Sequence, residues 1–218
     1  TLPEEVITFV KSLELWAVKE WFLREWLTQK TENWEFKFPK DAITIESWMD
    51  LGQIEPAILE FALSGVLPKE IVNRFLQLEK VVKKHKADNK TTLKTIPDAF
   101  ADLRGFRLTE QKTNAIKKRV LQAYWDNFLI KKAPHLNHPH IPHEIKAALL
   151  SMIYQRWGFF LTTRWHQGAL EAIQRWDWHD PAILAALQDG QKGTESRTAT
   201  EVAHFLIGLR KLEIATTK

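Results

Sequence analysis

A hydroxyl group and a carboxylate stand six positions apart in the stretch from Thr44 to Gln53, which reads T-I-E-S-W-M-D-L-G-Q. On one continuous strand an even spacing turns both side chains to the same face, so Thr44 and Asp50 would line one wall together. Both residues also have structural interpretations. Thr is favoured in strands, and Asp accepts hydrogen bonds in turns and before helices such as the one expected at Pro56. The spacing alone leaves a chemical and a structural role open for each.

Four histidines crowd the loop between residues 135 and 143, and imidazoles at such short spacing can bind zinc. They are His135, His138, His140 and His143. Prolines interrupt the run, and the loop contains no carboxylate that could complete a ligand set. We therefore predict a polar, pH-sensitive loop that binds no metal, and no other cofactor is expected.

Aromatic residues are abundant, with ten Trp and twelve Phe among 218 residues. Four of the Trp could form a surface on which sugars stack: Trp157, Trp165, Trp176 and Trp178. Helical spacing favours the alternative, in which most of them pack in the core.

The composition limits the partners that this chain can have. The formal net charge of +4 is mild and spread along the chain, which argues against nucleic acid and suits an anionic polymer such as a cell wall, or a membrane surface. The absence of Cys excludes disulfides, thiol catalysis and Cys-bound zinc. No apolar run approaches the ~18 residues of a spanning helix, so no transmembrane segment is predicted. The start at Thr1 rather than Met would suit a domain cut from a longer protein.

The periodicity of the apolar residues predicts a mainly helical chain with one small β-hairpin. The first helix is expected at about 4–28, begun by a proline and two acidic residues. An alternating pattern then predicts the hairpin at about 34–48. The remainder, 54–212, is expected to be helical, with a basic loop at 83–90. Because no linker would split the chain, we predict a single domain over 1–218.

Three segments carry patterns that are known together from one group of enzymes. Residues 41–53 match the Thr, Ile, Asp, Leu, Gly and Gln of S-G-V-T-I-G-x-G-x-D-L-G-Q. Residues 141–158 follow I-x-x-x-x-x-A-x-x-S-x-x-Y-x-x-x-G, and residues 196–203 are similar to R-R-x-x-E-A. The residues in the last two segments that match are Ala148, Ser151, Tyr154, Gly158, Arg197 and Glu201. In this order the segments resemble the pesticin-type and phage-type lysozymes, which cleave bacterial peptidoglycan.

The resemblance implies an α+β lysozyme-like fold with a catalytic Glu late in the first helix. We assign this role to Glu25, which lies among aromatic residues, and keep Glu20 as the alternative. The acid that protonates the leaving oxygen must keep its proton near neutral pH, and desolvation by aromatic surface can achieve this. For either Glu, a solvated carboxylate paired with a neighbour such as Arg24 is the structural alternative. The resemblance also implies that Thr44 holds the attacking water and that Asp50 orients it or balances charge.

Contacts to the substrate are assigned to Trp48, Gln53 and Tyr154. Trp48 stands two positions before Asp50 and would share its face on a regular strand. The family pattern has glycines where this chain has Glu46 and Trp48, and a glycine lets a polymer approach the backbone closely. A Trp at this place could stack on a sugar or block the cleft.

The function expected from the resemblance is hydrolysis of the β-1,4 bond between N-acetylmuramic acid and N-acetylglucosamine, in an antibacterial toxin or effector domain. Its partners would be the peptidoglycan glycan strand and an immunity or inhibitor protein, and it would act in the bacterial periplasm or after secretion. The alternative is a degenerate lysozyme-like domain that binds a glycan or a protein without cutting it. The substituted glycines favour this alternative, whereas Thr44, Asp50 and the D-L-G-Q sequence favour the enzyme.

Overall fold

The computed structural model describes residues 1–13, 21–24, 44–45, 49–91, 93, 95–104, 106–155, 166–189 and 195–216. Within these residues the protein is mainly helical, as predicted. The chain divides into two compact units: residues 1–15 together with 121–218 form the discontinuous unit, and residues 16–120 form the continuous unit. The single cooperative domain predicted from the sequence stays a prediction.

Short strands in the continuous unit pair in the order β3-β2-β1-β4, and every pair is antiparallel. They are β1 (Trp21–Arg24), β2 (Thr44–Ile45), β3 (Met49–Asp50) and β4 (Arg107–Leu108). The first helix predicted at about 4–28 is therefore wrong over 21–24, which are extended. The run W-F-L is apolar at every position, so its periodicity cannot distinguish helix from strand, and pairing with β2 and β4 decides the outcome.

Thr44 and Asp50 do not lie on the one continuous strand that their spacing suggested. They belong to β2 and β3, and the register places Thr44 opposite Asp50 and Ile45 opposite Met49. Most of the hairpin predicted at about 34–48 lies outside the described residues.

Helices make up most of the rest of the continuous unit: α2 (Pro56–Leu63), α3 (Lys69–Asn89), a 3-10 helix (Asp98–Leu103) and the first part of α4 (Glu110–Tyr124). Pro56 stands in the first turn of α2, where its missing N–H costs nothing. The basic loop predicted at 83–90 is wrong, since α3 continues to Asn89 and ends at Lys90 in a left-handed conformation. Lys and Ala favour helix, so the polar stretch extends α3 rather than ending it.

The discontinuous unit is built around a buried helix, α5, which packs mainly against α8 and α1. Its helices are α1 (Glu4–Leu13), a π-helix (Trp125–Ile130) that follows α4, a 3-10 helix (Pro134–Asn137), α5 (His143–Gln155), α6 (Gln167–Gln174), α7 (Pro181–Gln188) and α8 (Glu195–Thr216). Every residue of α5 from Ile145 to Tyr154 is buried. None of the described helices is long and apolar enough to cross a membrane.

Gly208 sets the distance between α8 and α5. A Cβ atom at this position would lie 2.7 Å from Cγ1 of Ile145 and 2.9 Å from its backbone nitrogen. Real Cβ atoms essentially never come so close to other atoms, so α8 can approach α5 as it does only because residue 208 has no side chain.

Candidate functional site

The Asp50 carboxylate is held by the turn that follows it. Oδ1 accepts a hydrogen bond from the Gly52 amide at 2.7 Å, and Oδ2 accepts one from the Gln53 side-chain amide at 2.8 Å. The Asp50 carbonyl oxygen accepts further bonds from the Gln53 and Ile54 amides. Asp50 is only 4% exposed. Hydrogen bonds within the D-L-G-Q turn therefore orient one buried carboxylate.

Helix α3 also holds this turn, through two lysines. The Lys83 ammonium donates to the Ile54 carbonyl oxygen at 2.5 Å, and Lys86 donates to the Gly52 carbonyl oxygen at 3.5 Å. Lys83 lies 2.6 Å from Oε1 of the buried Glu79, in a geometry that makes an ion pair but no hydrogen bond. The lysines, interpreted from the sequence as a solvated loop, instead fasten the segment that carries Asp50.

Two of the other predicted site residues lie near Asp50. The backbone of Thr44 lies opposite Asp50 in the strand register. Gln53 contacts Asp50 directly through its side chain. Four other residues that the sequence analysis weighed lie outside the described residues: Glu20, Glu25, Glu46 and Trp48. The structure thus brings Thr44, Asp50 and Gln53 together.

Tyr154, assigned to substrate contact, lies in the core of the discontinuous unit. Its side chain is 6% exposed and meets Tyr124 edge to face, with ring centroids 5.2 Å apart. Aromatic pairs of this kind stabilise cores. Packing is the role that these contacts support for Tyr154.

A second buried carboxylate joins helices α5 and α8. Ser151 Oγ donates to Glu201 Oε1 at 2.5 Å, and Arg197 Nε donates to the same oxygen at 3.0 Å. Arg197 also donates to Ser151 Oγ at 2.9 Å. Glu201 is fully buried, and its Oε2 has no hydrogen-bond partner. This network can lock two helices together, but its burial leaves no path for a substrate to reach it.

The histidine loop lies against two tryptophans. His135 stacks on Trp176, with ring centroids 4.5 Å apart, and meets Trp178 edge to face. Trp178 is buried, as the core interpretation predicted, whereas Trp176 is exposed; Trp157 and Trp165 lie outside the described residues. In the part of the chain that the structure describes, no group of three or more His, Cys, Asp or Glu could hold a metal ion.

Sequence reasoning missed an open cleft of about 620 Å³ in the discontinuous unit. The His204 imidazole stacks on Phe9 in this cleft at 3.7 Å, and Lys211 pairs with Glu144. Burial works to raise the pKa of Glu144, but the hydrogen bond from Lys211, a backbone hydrogen bond and the charges of Lys211 and His204 together lower the pKa. The pKa of His204 is lowered mainly by burial. The one signal in the sequence was the pair of acids Glu4 and Glu5, which reads equally well as a helix start.

Comparisons of this chain with protein-family models, with curated proteins and with solved structures find no match.

Proposed function

We propose that the chain is a lysozyme-like domain that hydrolyses the β-1,4 bond between N-acetylmuramic acid and N-acetylglucosamine in peptidoglycan. The observation that carries this proposal is the register of β2 and β3, which sets Thr44 opposite Asp50. These are the two residues to which the resemblance assigns the attacking water. Because Gly52 and Gln53 already orient the Asp50 carboxylate, little reorganisation would be needed during the reaction.

The chemistry divides between two carboxyl groups. Glu25 protonates the glycosidic oxygen as the bond breaks, and Asp50 with Thr44 positions the water that attacks the sugar carbon from the opposite face. The water passes its proton to the Asp50 carboxylate as the new C–O bond forms, and the leaving sugar keeps the proton from Glu25. Proton exchange with solvent then returns both carboxyl groups to their starting states. Gln53, with one amide N–H on Asp50, can offer its second N–H to the substrate. Trp48 would stack on a sugar ring.

The finer fold proposal, an α+β lysozyme-like scaffold with one small hairpin, is supported by the buried network of α5 and α8. Ser151 belongs to the second segment of the resemblance, and Arg197 and Glu201 belong to the third. Hydrogen bonds join all three residues, although Ser151 lies 46 positions before Arg197 and 50 positions before Glu201. Segments selected by their patterns alone thus meet in one network.

Release of soluble muropeptides from purified sacculi tests the proposal. We expect Glu25→Gln and Asp50→Asn each to lower the initial rate about 100-fold or more, and Thr44→Ala to lower it less. Asp88→Asn, an exposed carboxylate near the end of α3, is the matched control and should keep the parent rate. Thermal melting of each variant separates a lost reaction from a lost fold.

Two outcomes would contradict parts of this assignment. If Glu25→Gln kept full activity while Glu20→Gln lost it, the acid would be Glu20. If the parent chain released no muropeptides at any pH, the hydrolase proposal would fail.

A second candidate function is a degenerate lysozyme-like domain that binds a glycan or a protein without hydrolysis. The burial of Asp50 favours it, because both carboxylate oxygens already accept hydrogen bonds within the turn. This bonding is what a purely structural turn residue would show. Binding of the parent chain to sacculi in a sedimentation assay, with no muropeptide release, would support this candidate.

The biological setting belongs to the same proposal. An antibacterial toxin or effector domain acting on the periplasmic side of a target cell would meet the glycan strand as substrate, and an immunity or inhibitor protein would protect the producer. Co-purification of a small protein that abolishes muropeptide release would support this setting.

A further inference from the structure

Helix α6 ends in a turn in which a tryptophan takes the position usually filled by glycine. The Asp177 amide donates to the Ala172 carbonyl oxygen at 3.0 Å, and the Trp176 amide donates to that of Ile173 at 3.1 Å. This pair of bonds defines a Schellman motif, which needs a left-handed residue where Trp176 stands. Trp176 has φ 63°, a conformation that any residue with a Cβ atom adopts at a cost.

The contrast with Gly65 shows that the chain does use glycine for a similar purpose elsewhere. Gly65 follows α2 and has φ 80°. Lys90, at the end of α3, is a second residue with a Cβ atom in this conformation, with φ 57°, so the strain alone assigns no role. Such positions nevertheless cluster at functional sites, and the surroundings of its side chain distinguish Trp176 from Lys90.

The indole of Trp176 is supported on one side and open on the other. His135 stacks on it with an interplanar angle of 24°, and His138 meets it edge to face at 5.9 Å. Trp176 is nevertheless 47% exposed, whereas Trp125 and Trp178 are buried. The backing imidazole supports the plane of the indole, and nearly half of the Trp176 surface is left to solvent.

Polar groups surround this exposed ring. His138 and His140 are exposed and stack on each other at 4.9 Å, and Nδ1 of His138 accepts a hydrogen bond from the His140 amide at 3.3 Å. Nε2 of His135 is buried and has no hydrogen-bond partner. Imidazoles can donate and accept hydrogen bonds, so they suit hydroxyl and amide groups.

We propose that Trp176, His135 and His138 form a sugar-binding site whose ligand is a pyranose ring of an N-acetylated hexosamine. The C–H face of the ring stacks on the free face of the indole, and His138 meets the hydroxyl or acetamido groups at its rim. The identity of the sugar rests on the proposed function, whereas the stacking geometry does not.

The test is binding of an N-acetylglucosamine tetramer, measured by isothermal titration calorimetry. Trp176→Gly keeps the left-handed turn and removes the indole, and Trp176→Asn is a second variant that tolerates this backbone. We expect both to weaken binding about tenfold or more, with a melting temperature equal to or above that of the parent. Phe61→Ala, an exposed aromatic residue of the continuous unit, should bind like the parent.

Parallel kinetics with sacculi separate this inference from the proposed hydrolysis. We expect Trp176→Gly to raise KM and leave kcat unchanged, whereas Asp50→Asn lowers kcat. If the parent releases muropeptides and Trp176→Gly binds the tetramer equally well, the sugar site is wrong and the hydrolase stands. If the parent binds the tetramer through Trp176 but releases nothing, the hydrolase is wrong and the sugar site stands. A parent that does not bind the tetramer, or a Trp176→Gly variant that melts well below it, would overturn the site.

Discussion

Two nearly inaccessible carboxylates, Asp50 in the continuous unit and Glu201 in the discontinuous unit, are stabilised in opposite ways. Both carboxylate oxygens of Asp50 accept hydrogen bonds from neutral groups two and three positions away. Those to Glu201 come from an arginine one turn away and from Ser151, fifty positions earlier. The first arrangement can form as soon as its own turn forms. The second exists only once two helices have packed, so it reports on the tertiary structure.

The largest expected effect follows from breaking the Glu201 network. Glu201→Ala leaves the guanidinium of Arg197 without its buried partner, and loss of one member of a buried ion pair typically costs about 3–5 kcal/mol. Urea denaturation should show this loss in the free energy of unfolding. Glu213→Ala removes an exposed carboxylate of the same helix and should change it by less than about 1 kcal/mol. Equal effects of the two substitutions would mean that the network contributes little.

The next largest effect is expected from a change in how closely α8 approaches α5. Gly208→Ala forces a methyl group onto the backbone of Ile145, and overpacking of this kind costs about 1–3 kcal/mol. Gly168→Ala is the matched control, because its Cβ atom would meet Ala182 at an ordinary 3.6 Å. Because Ala is favoured over Gly in a helix, Gly168→Ala should raise the free energy of unfolding by about 0.5–1 kcal/mol. Thermal melts should therefore shift in opposite directions, and a shared direction would contradict the close approach.

A smaller loss of stability is expected from removing one hydrogen bond of the turn that holds Asp50. Gln53→Ala removes the hydrogen bond that a neutral side-chain amide donates to the Asp50 carboxylate, but it leaves the bond from the Gly52 amide. The free energy of unfolding should fall by about 0.5–1.5 kcal/mol in urea denaturation. Gln111→Ala, at an exposed position of α4, should be close to neutral. A loss as large as that of Glu201→Ala would show that the turn depends on more than its own bonds.

The smallest effect is a change in the pH dependence of stability. In the folded state the pKa of Glu144 lies below its ordinary value, so its contribution to stability is present above pH 4.5 and is lost as the pH falls through the folded pKa. The pKa of His204 is also lowered, so the unfolded chain takes up a proton first as the pH falls below 6.5. Both groups therefore destabilise the fold in acid.

Lys211 lowers both pKa values, so Lys211→Met should flatten the decline in melting temperature between pH 7 and pH 4. Arg210→Met, at the neighbouring exposed position, should leave the slope as it is in the parent. A parent slope in the Lys211 variant would show that other groups dominate the acid response.

Local signals in the sequence predicted what local interactions determine. Prolines mark the first turns of α2 and α7, and the turn-acceptor interpretation of Asp50 agrees with its hydrogen bonds. The strand at 21–24 could not be predicted, because its conformation depends on partners far along the chain. For the same reason the resemblance selected Ser151 and Glu201 separately, without indicating that they touch. Trp is not a residue that favours the left-handed conformation, so no residue preference indicated that Trp176 would adopt it.

The helices of the discontinuous unit cannot all pack as soon as each has been synthesised. Helix α1 packs against α5, whose first residue leaves the ribosome about 130 residues after α1 ends. At about 5–20 residues per second, the apolar face of α1 waits roughly 6–26 s for its partner. The continuous unit is complete before α5 has been made. Protection of α1 against proteases on stalled ribosomes should therefore appear only after α5 has emerged.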